Sequence, residues 1–95
     1  MGYVLTPRAR SDIREIGRYT LERWGIDQAE VYVRMIRDAI ASIADDPRRG
    51  RSCEDVRAGY FKFAVGSHVI FYRQVGADVD VVRVLHGRMD FGRHL

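Results

Sequence analysis

Apolar residues recur at three- and four-residue steps in the first half of the chain and at two-residue steps in the second half. The first period is that of a helix with one covered face, and the second that of a strand with one covered face. Tyr3, Val4 and Leu5 form a short apolar run that stops at Thr6-Pro7. It predicts a short strand at a sheet edge. Thr6 suits an N-cap, and Pro7 suits the first helical position, where a missing N–H is harmless. Ala9, Ile13, Ile16, Thr20 and Trp24 then make one helical face. Gly25 is placed to end that helix. Asp27 is placed to start a second helix, with Glu30 three residues later in a capping-box arrangement. Its buried stripe is predicted as Ala29, Tyr32, Val33, Ile36, Ala39, Ile40 and Ile43, with Met35 at the stripe's edge and Val31 off it. The helix should end near Asp46-Pro47. A linker as short as Gly25-Ile26 forces the two helices into an antiparallel hairpin.

Residues 47–59 read as a loop made basic by Arg48, Arg49 and Arg51, with a short strand expected around Asp55 to Arg57. Three strands follow, at Tyr60 to Val65, His68 to Val75 and Val79 to His86. Gly66-Ser67 and Gly76-Ala77-Asp78 supply the turns, so the strands are antiparallel. Alternation places Phe61, Phe63, Val65, Ile70, Tyr72, Val82 and Val84 towards the helices and Lys62, Arg73 and Arg83 on the other face. The expected fold is α+β: an N-terminal helical hairpin packed on one face of a small antiparallel sheet, whose other face is open and basic. The whole chain, 1–95, is expected to form one domain.

The composition narrows the chemistry. Hydrophobic content of 46% fits a folded core, and the net charge of +3 is mild. Lys62 is the sole lysine among 16 basic residues, so nearly all the positive charge is carried by planar guanidinium forks suited to carboxylates and phosphates. Such a bias also arises in any arginine-rich proteome. One cysteine, Cys53, excludes an internal disulfide and a multi-cysteine zinc site. No P-loop, dinucleotide fingerprint, zinc spacing or nucleophile elbow is present, and no cofactor or metal is expected. The N-terminus lacks a signal-peptide run and no segment is long and apolar enough for a membrane span, so the expected location is the cytoplasm.

One enzymatic constellation is conceivable from the residues alone. Metal-free RNA cleavage needs cations for the phosphorane and groups for two proton transfers. Lys62, Arg73 and Arg83 are candidates for the first, His86 and Asp90 for the second. The stretch from Val79 to Asp90 draws the eye for another reason. A regular strand breaks at Gly87 and crowds Arg88, Met89, Asp90, Arg93 and His94 into the end of the chain.

Several segments in order resemble the ParE branch of the ParE/RelE toxin superfamily: L-T-P-R-A at Leu5, Y-T-L-E-R-W-G at Tyr19, Q-A-E-V-Y at Gln28, D-P-R-R-G-R at Asp46, V-R-A-G-Y at Val56, V-G-S-H-V-I-F-Y-R at Val65 and R-V-L-H-G-R-M-D at Arg83. Each is weak alone, and their succession is specific. The resemblance implies a toxin encoded with a ParD-like antitoxin and directed at DNA gyrase. It implies no enzyme activity and no sequence-specific DNA binding by this chain alone. RelE-like relatives are ribosome-dependent mRNA endonucleases, commonly with a C-terminal tyrosine or histidine; this chain has no tyrosine after Tyr72, so a RelE-type mRNA endonuclease is the alternative reading, with His86 or His94 in that place. The resemblance supplies no catalytic residue. The candidates for target binding are His86, Arg88, Met89, Asp90 and Arg93. Those for antitoxin binding are Val31, Met35, Arg57, Lys62, Arg73 and Arg83.

Overall fold

The computed structural model describes residues 2–95. Strand β1 (Tyr3–Leu5) leads into helix α1 (Pro7–Trp24), followed by α2 (Ile26–Asp45), a 3-10 turn at Pro47–Arg49, and β2 (Arg51–Ser52). Strands β3 (Phe61–Val65), β4 (His68–Val75) and β5 (Asp78–His86) come next, and a single-turn helix α3 (Phe91–His94) closes the chain. The sheet runs β1-β5-β4-β3-β2. Its hairpins are antiparallel, as the short turns predict, but β1 lies parallel to β5, which makes the sheet mixed. A strand that reaches its neighbour only after both helices and three strands has no turn to fix its direction.

The start of α1 follows its local chemistry. The Thr6 side chain accepts from Ala9 N–H at 3.1 Å, and Pro7 occupies the first turn. Thr6 also donates its hydroxyl to the Val82 carbonyl at 2.8 Å, tying the helix start to β5. Gly25, at φ 91°, ends α1 and begins α2 directly. The expected Asp27–Glu30 capping box is therefore absent, because α2 already starts at Ile26 and has no side-chain cap. Asp27 instead sits in the first turn, where its charge opposes the helix dipole.

The core lies between the hairpin and one face of the sheet. It unites Ala9, Ile13, Ile16, Ile36, Ile40 and Ile43 with Val65, Ile70, Tyr72, Val79, Val81 and Val84. Two expected core residues are not in it. Trp24 is 66% exposed, because the last turn of α1 projects beyond the packed region, whose final buried member on that helix is Thr20. Val82 is displaced by an irregularity: Phe71 pairs Arg83 while Tyr72 pairs Val81, so one extra residue of β5 bulges out. The bulge shifts the parity of β5, and Val79 and Val81 take the buried places.

The second face of the sheet is not open. Cys53, Phe71 and Leu85 are buried there beneath Val56, Tyr60, Phe91 and Leu95. The loop after β2 and the C-terminal helix supply this cover. Asp55 to Arg57 form part of a turn and not a strand; the short strand is at Arg51–Ser52. Tyr72, on the helix side of the sheet, anchors the turn that leads into β2. Its hydroxyl donates to the Pro47 carbonyl at 2.7 Å and accepts from Gly50 N–H at 2.9 Å. A Cβ at Gly50 would overlap that hydroxyl and come within 2.8 Å of the Lys62 carbonyl, so glycine is required for the close approach.

Candidate functional site

Parity along the strands sorts the candidate residues into separate places. His86 pairs His68 across β4 and β5, and both lie on the helix side. Their rings stand edge to face with centroids 5.3 Å apart. Tyr32 on α2 reaches His68 Nδ1 at 2.7 Å and accepts from Ser67 N–H at 2.9 Å. His86 Nδ1 accepts from Arg88 N–H at 3.1 Å, which fixes the turn after β5. Burial lowers the His68 pKa below the usual imidazole value, and the His86 ring adds to the effect while Asp12 opposes it. Trp24, Tyr19, Arg23 and Gln28 complete a cleft of about 480 Å3 over this cluster.

Lys62 is on the opposite face. So are Arg73, which reaches Asp80 at 3.4 Å, and Arg83. The RNA-cleavage constellation is thereby split: its imidazole and its cations project from opposite sides of one sheet. The sequence puts these residues on regular strands, but only pairing and the bulge show which side each takes.

Arg83 is not free to meet a partner. Its Nε and Nη2 donate to the two carboxylate oxygens of Asp12 at 2.8 Å each, and its Nη1 donates to the His94 carbonyl at 2.9 Å. Asp12 also accepts from Val84 N–H at 2.9 Å. The hydrogen bond and charge of Asp12 raise the Arg83 pKa, against a smaller effect of burial. Asp12 is a residue that sequence reasoning passed over. It lies 71 positions from Arg83 and reads as an ordinary polar position on α1.

Arg57 is likewise engaged. It donates to the Leu95 carbonyl at 2.7 Å and lies over the Tyr60 ring at 5.6 Å. Together Arg57 and Arg83 hold the last two carbonyls of the chain against the sheet. Phe91 packs edge to face on Phe71 at 4.7 Å. Arg88, Met89, Asp90 and Arg93 are exposed around this docked tail. Val31 and Met35, one turn apart on α2, are 57% and 38% exposed. Nearby on the hairpin tip, Tyr19, Leu21, Trp24 and Ile26 are exposed as well.

A second cleft, of about 570 Å3, opens on the far face. Arg49, Arg51 and Lys62 line it with Ala64, Val69 and Phe91. The basic loop was legible in the sequence; its meeting with Lys62 depends on the pairing of β2 with β3. Among the described residues no group of three or more His, Cys, Asp or Glu side chains is placed to hold a metal ion. No helix is long and apolar enough to cross a membrane.

Residues 3–91 match the family described as ParE toxin of the type II toxin–antitoxin system parDE. The chain is 50% identical over 94 residues to Toxin ParE1 of Mycobacterium tuberculosis, covering 98% of this chain and 96% of that one. It is 45% identical over 93 residues to Toxin ParE1 of Caulobacter vibrioides, with the same coverage of 98% and 96%. The fold superimposes on a chain of the chromosomal ParDE toxin–antitoxin system from P. aeruginosa with a TM-score of 0.80 at 16% identity, covering 90% of this chain and 95% of that one.

Proposed function

Because the chain belongs to the ParE toxin family of type II toxin–antitoxin systems, we propose that it inhibits DNA gyrase by protein–protein contact and is neutralised by direct binding of a ParD-like antitoxin. The observation that carries this reading is the family match over residues 3–91. The geometry supports a binder over an enzyme. His86 projects on the helix side of the sheet, Lys62 and Arg73 on the other, so the candidate acid–base group is separated from the candidate cations. A general acid or base must come within hydrogen-bond reach of the reacting group that the cations hold. No specific observation favours ribonuclease activity.

The exposed rim of Arg88, Met89, Asp90 and Arg93 is the surface offered to gyrase. The row at Val31 and Met35 is offered to the antitoxin, where an amphipathic segment can fold on binding. Arg73 remains available to acidic residues of that partner, whereas Arg57 and Arg83 serve the toxin's own tail. The site of action is then the cytoplasm.

The test pairs two purified systems. The protein should block supercoiling by gyrase and leave translated mRNA uncut. Site-specific mRNA cleavage on ribosomes with supercoiling untouched would overturn the proposal. On the gyrase side, Arg88→Ala should relieve inhibition while the variant stays folded and antitoxin-bound.

A further inference from the structure

The basic cleft contains an arrangement that folding alone does not favour. Arg51 and Lys62 are direct cross-strand partners in the β2–β3 ladder. Like charges directly opposite each other destabilise a sheet. Among the described residues neither forms an ion pair. The neighbouring acid, Glu54, is turned onto Gly59 N–H at 3.1 Å. Arg49 stands on the same rim, with its Nε bound to the Ser42 carbonyl at 3.1 Å and the rest of the guanidinium uncommitted.

The backbone that carries two of the cations is held in place. Arg49 and Arg51 flank Gly50, which the buried Tyr72 hydroxyl pins from below through Gly50 N–H and the Pro47 carbonyl. A loop fixed on both sides of its glycine sets where the backbone of Arg49 and Arg51 stands beside Lys62. Val69 and Phe91 form an apolar wall beside them. Three cations along one cleft, two of them directly opposed, are complementary to a ligand bearing successive full negative charges.

We propose that this cleft binds consecutive phosphates of a nucleic-acid backbone. Arginine forks match phosphate oxygens in pairs, and a phosphate seated between Arg51 and Lys62 neutralises both sides of the repulsive pair at once. An isolated carboxylate has two oxygens in one plane and satisfies fewer of these donors. The backbone is held and not cut. No histidine, cysteine, aspartate or glutamate is among the residues that line the cleft. The inference holds whether or not gyrase is the target. It adds a sequence-independent grip on nucleic acid to a toxin read as a protein binder.

The test is fluorescence anisotropy of a labelled 12-base-pair DNA duplex and of a labelled single-stranded 12-mer, titrated with the purified toxin at several salt concentrations. Each phosphate contact contributes about −0.9 to the slope of log K against log salt on duplex and about −0.7 on a single strand. The Arg51→Ala/Lys62→Ala variant should raise Kd at least tenfold and flatten the slope by about 1.8 if the duplex binds or about 1.4 if the single strand does. The Arg18→Ala/Arg34→Ala variant removes the same net charge from exposed helix positions and should leave Kd within about twofold. Inorganic phosphate should raise the Tm of the wild-type protein and not that of Arg51→Ala/Lys62→Ala. That variant should melt no lower than wild type, since it relieves a like-charge pair. Absence of binding to both nucleic acids overturns the proposal. So does equal weakening by the two double variants, which would reduce the effect to net charge. Tighter binding of a labelled polyglutamate peptide than of either nucleic acid, lost in Arg51→Ala/Lys62→Ala, would assign the cleft to an acidic protein instead.

Discussion

At the residue scale, the clamp between Arg83 and Asp12 is the most buried ion pair among the described residues. Their side chains are only 15% and 13% exposed, and the pair is bidentate. Removing one partner of such a pair strands the other, which costs about 3–5 kcal/mol. Arg83→Met should therefore lower the stability measured by urea unfolding by about that amount. Asp12→Asn/Arg83→Met should recover part of the loss. Charge reversal at Arg83 would unfold the toxin before it tested any partner contact, so Arg73 is the better site for probing the antitoxin. His68 gives a pH signature. Its folded pKa lies below its unfolded value, chiefly through burial. The unfolded chain then binds the proton more readily. Stability is full above the ordinary imidazole value of about 6.5 and falls as pH drops from there to the folded pKa. Unfolding curves from pH 8 to 5 should show this decline in the wild type. The difference between wild type and His68→Gln should vanish below that window or stay constant above it; a difference independent of pH throughout would refute the assignment.

At the scale of elements, the C-terminal helix is a lid and not a loose tail. Phe91 and Leu95 cover Phe71 and Leu85, while Arg57 and Arg83 hold the Leu95 and His94 carbonyls. A rim that presents Arg88 and Met89 is thus built on a structural base. Deleting Phe91 to Leu95 would expose the second cluster and free both arginines, so it cannot separate toxicity from folding. Phe91→Ala is the finer probe. It should destabilise by about 2 kcal/mol, less than a fully buried phenylalanine because the ring is only partly buried. Thermal unfolding checks this, and an unchanged Tm would show that the helix does not pack in solution as described. Arg88→Ala, on the exposed side, should leave Tm within about 1 °C, in keeping with surface substitutions.

For the whole molecule, the two faces of the sheet carry different tasks. The helix side holds the main core and, at its far end, the Tyr32–His68–His86 cleft; the far side holds the smaller core and the basic cleft. The exposed apolar row lies outside both, on α2. Val31→Asp/Met35→Asp should weaken antitoxin binding by at least tenfold in a calorimetric titration while leaving the toxin's own Tm nearly unchanged. Undiminished affinity would move the antitoxin to another surface. The effect is expected to be large because an apolar anchor opposed by a new charge loses burial and gains a desolvation penalty.

The period of the apolar pattern by itself determined the two helices, the antiparallel hairpins and the layer in which most of the core lies. Burial of one face requires periods of 3.6 and 2, and Ala9 to Thr20, Ile36 to Ile43 and Phe61 to Tyr72 all keep to them. Thr6-Pro7, Gly25 and Gly66-Ser67 worked because each acts on its own neighbours. The candidate surfaces were only partly legible. Exposure at Val31 and Met35 followed from the helical stripe. The closure of the second face did not, because Phe71 and Leu85 meet Phe91 and Cys53 only after distant segments converge. The parallel partner of β1, the bulge at Val82 and the Arg83–Asp12 clamp are long-range as well. A bulge changes parity without changing composition, and an ion pair spanning 71 positions leaves no local trace. Tertiary structure alone decided which charges are spent within the fold and which are left for a ligand.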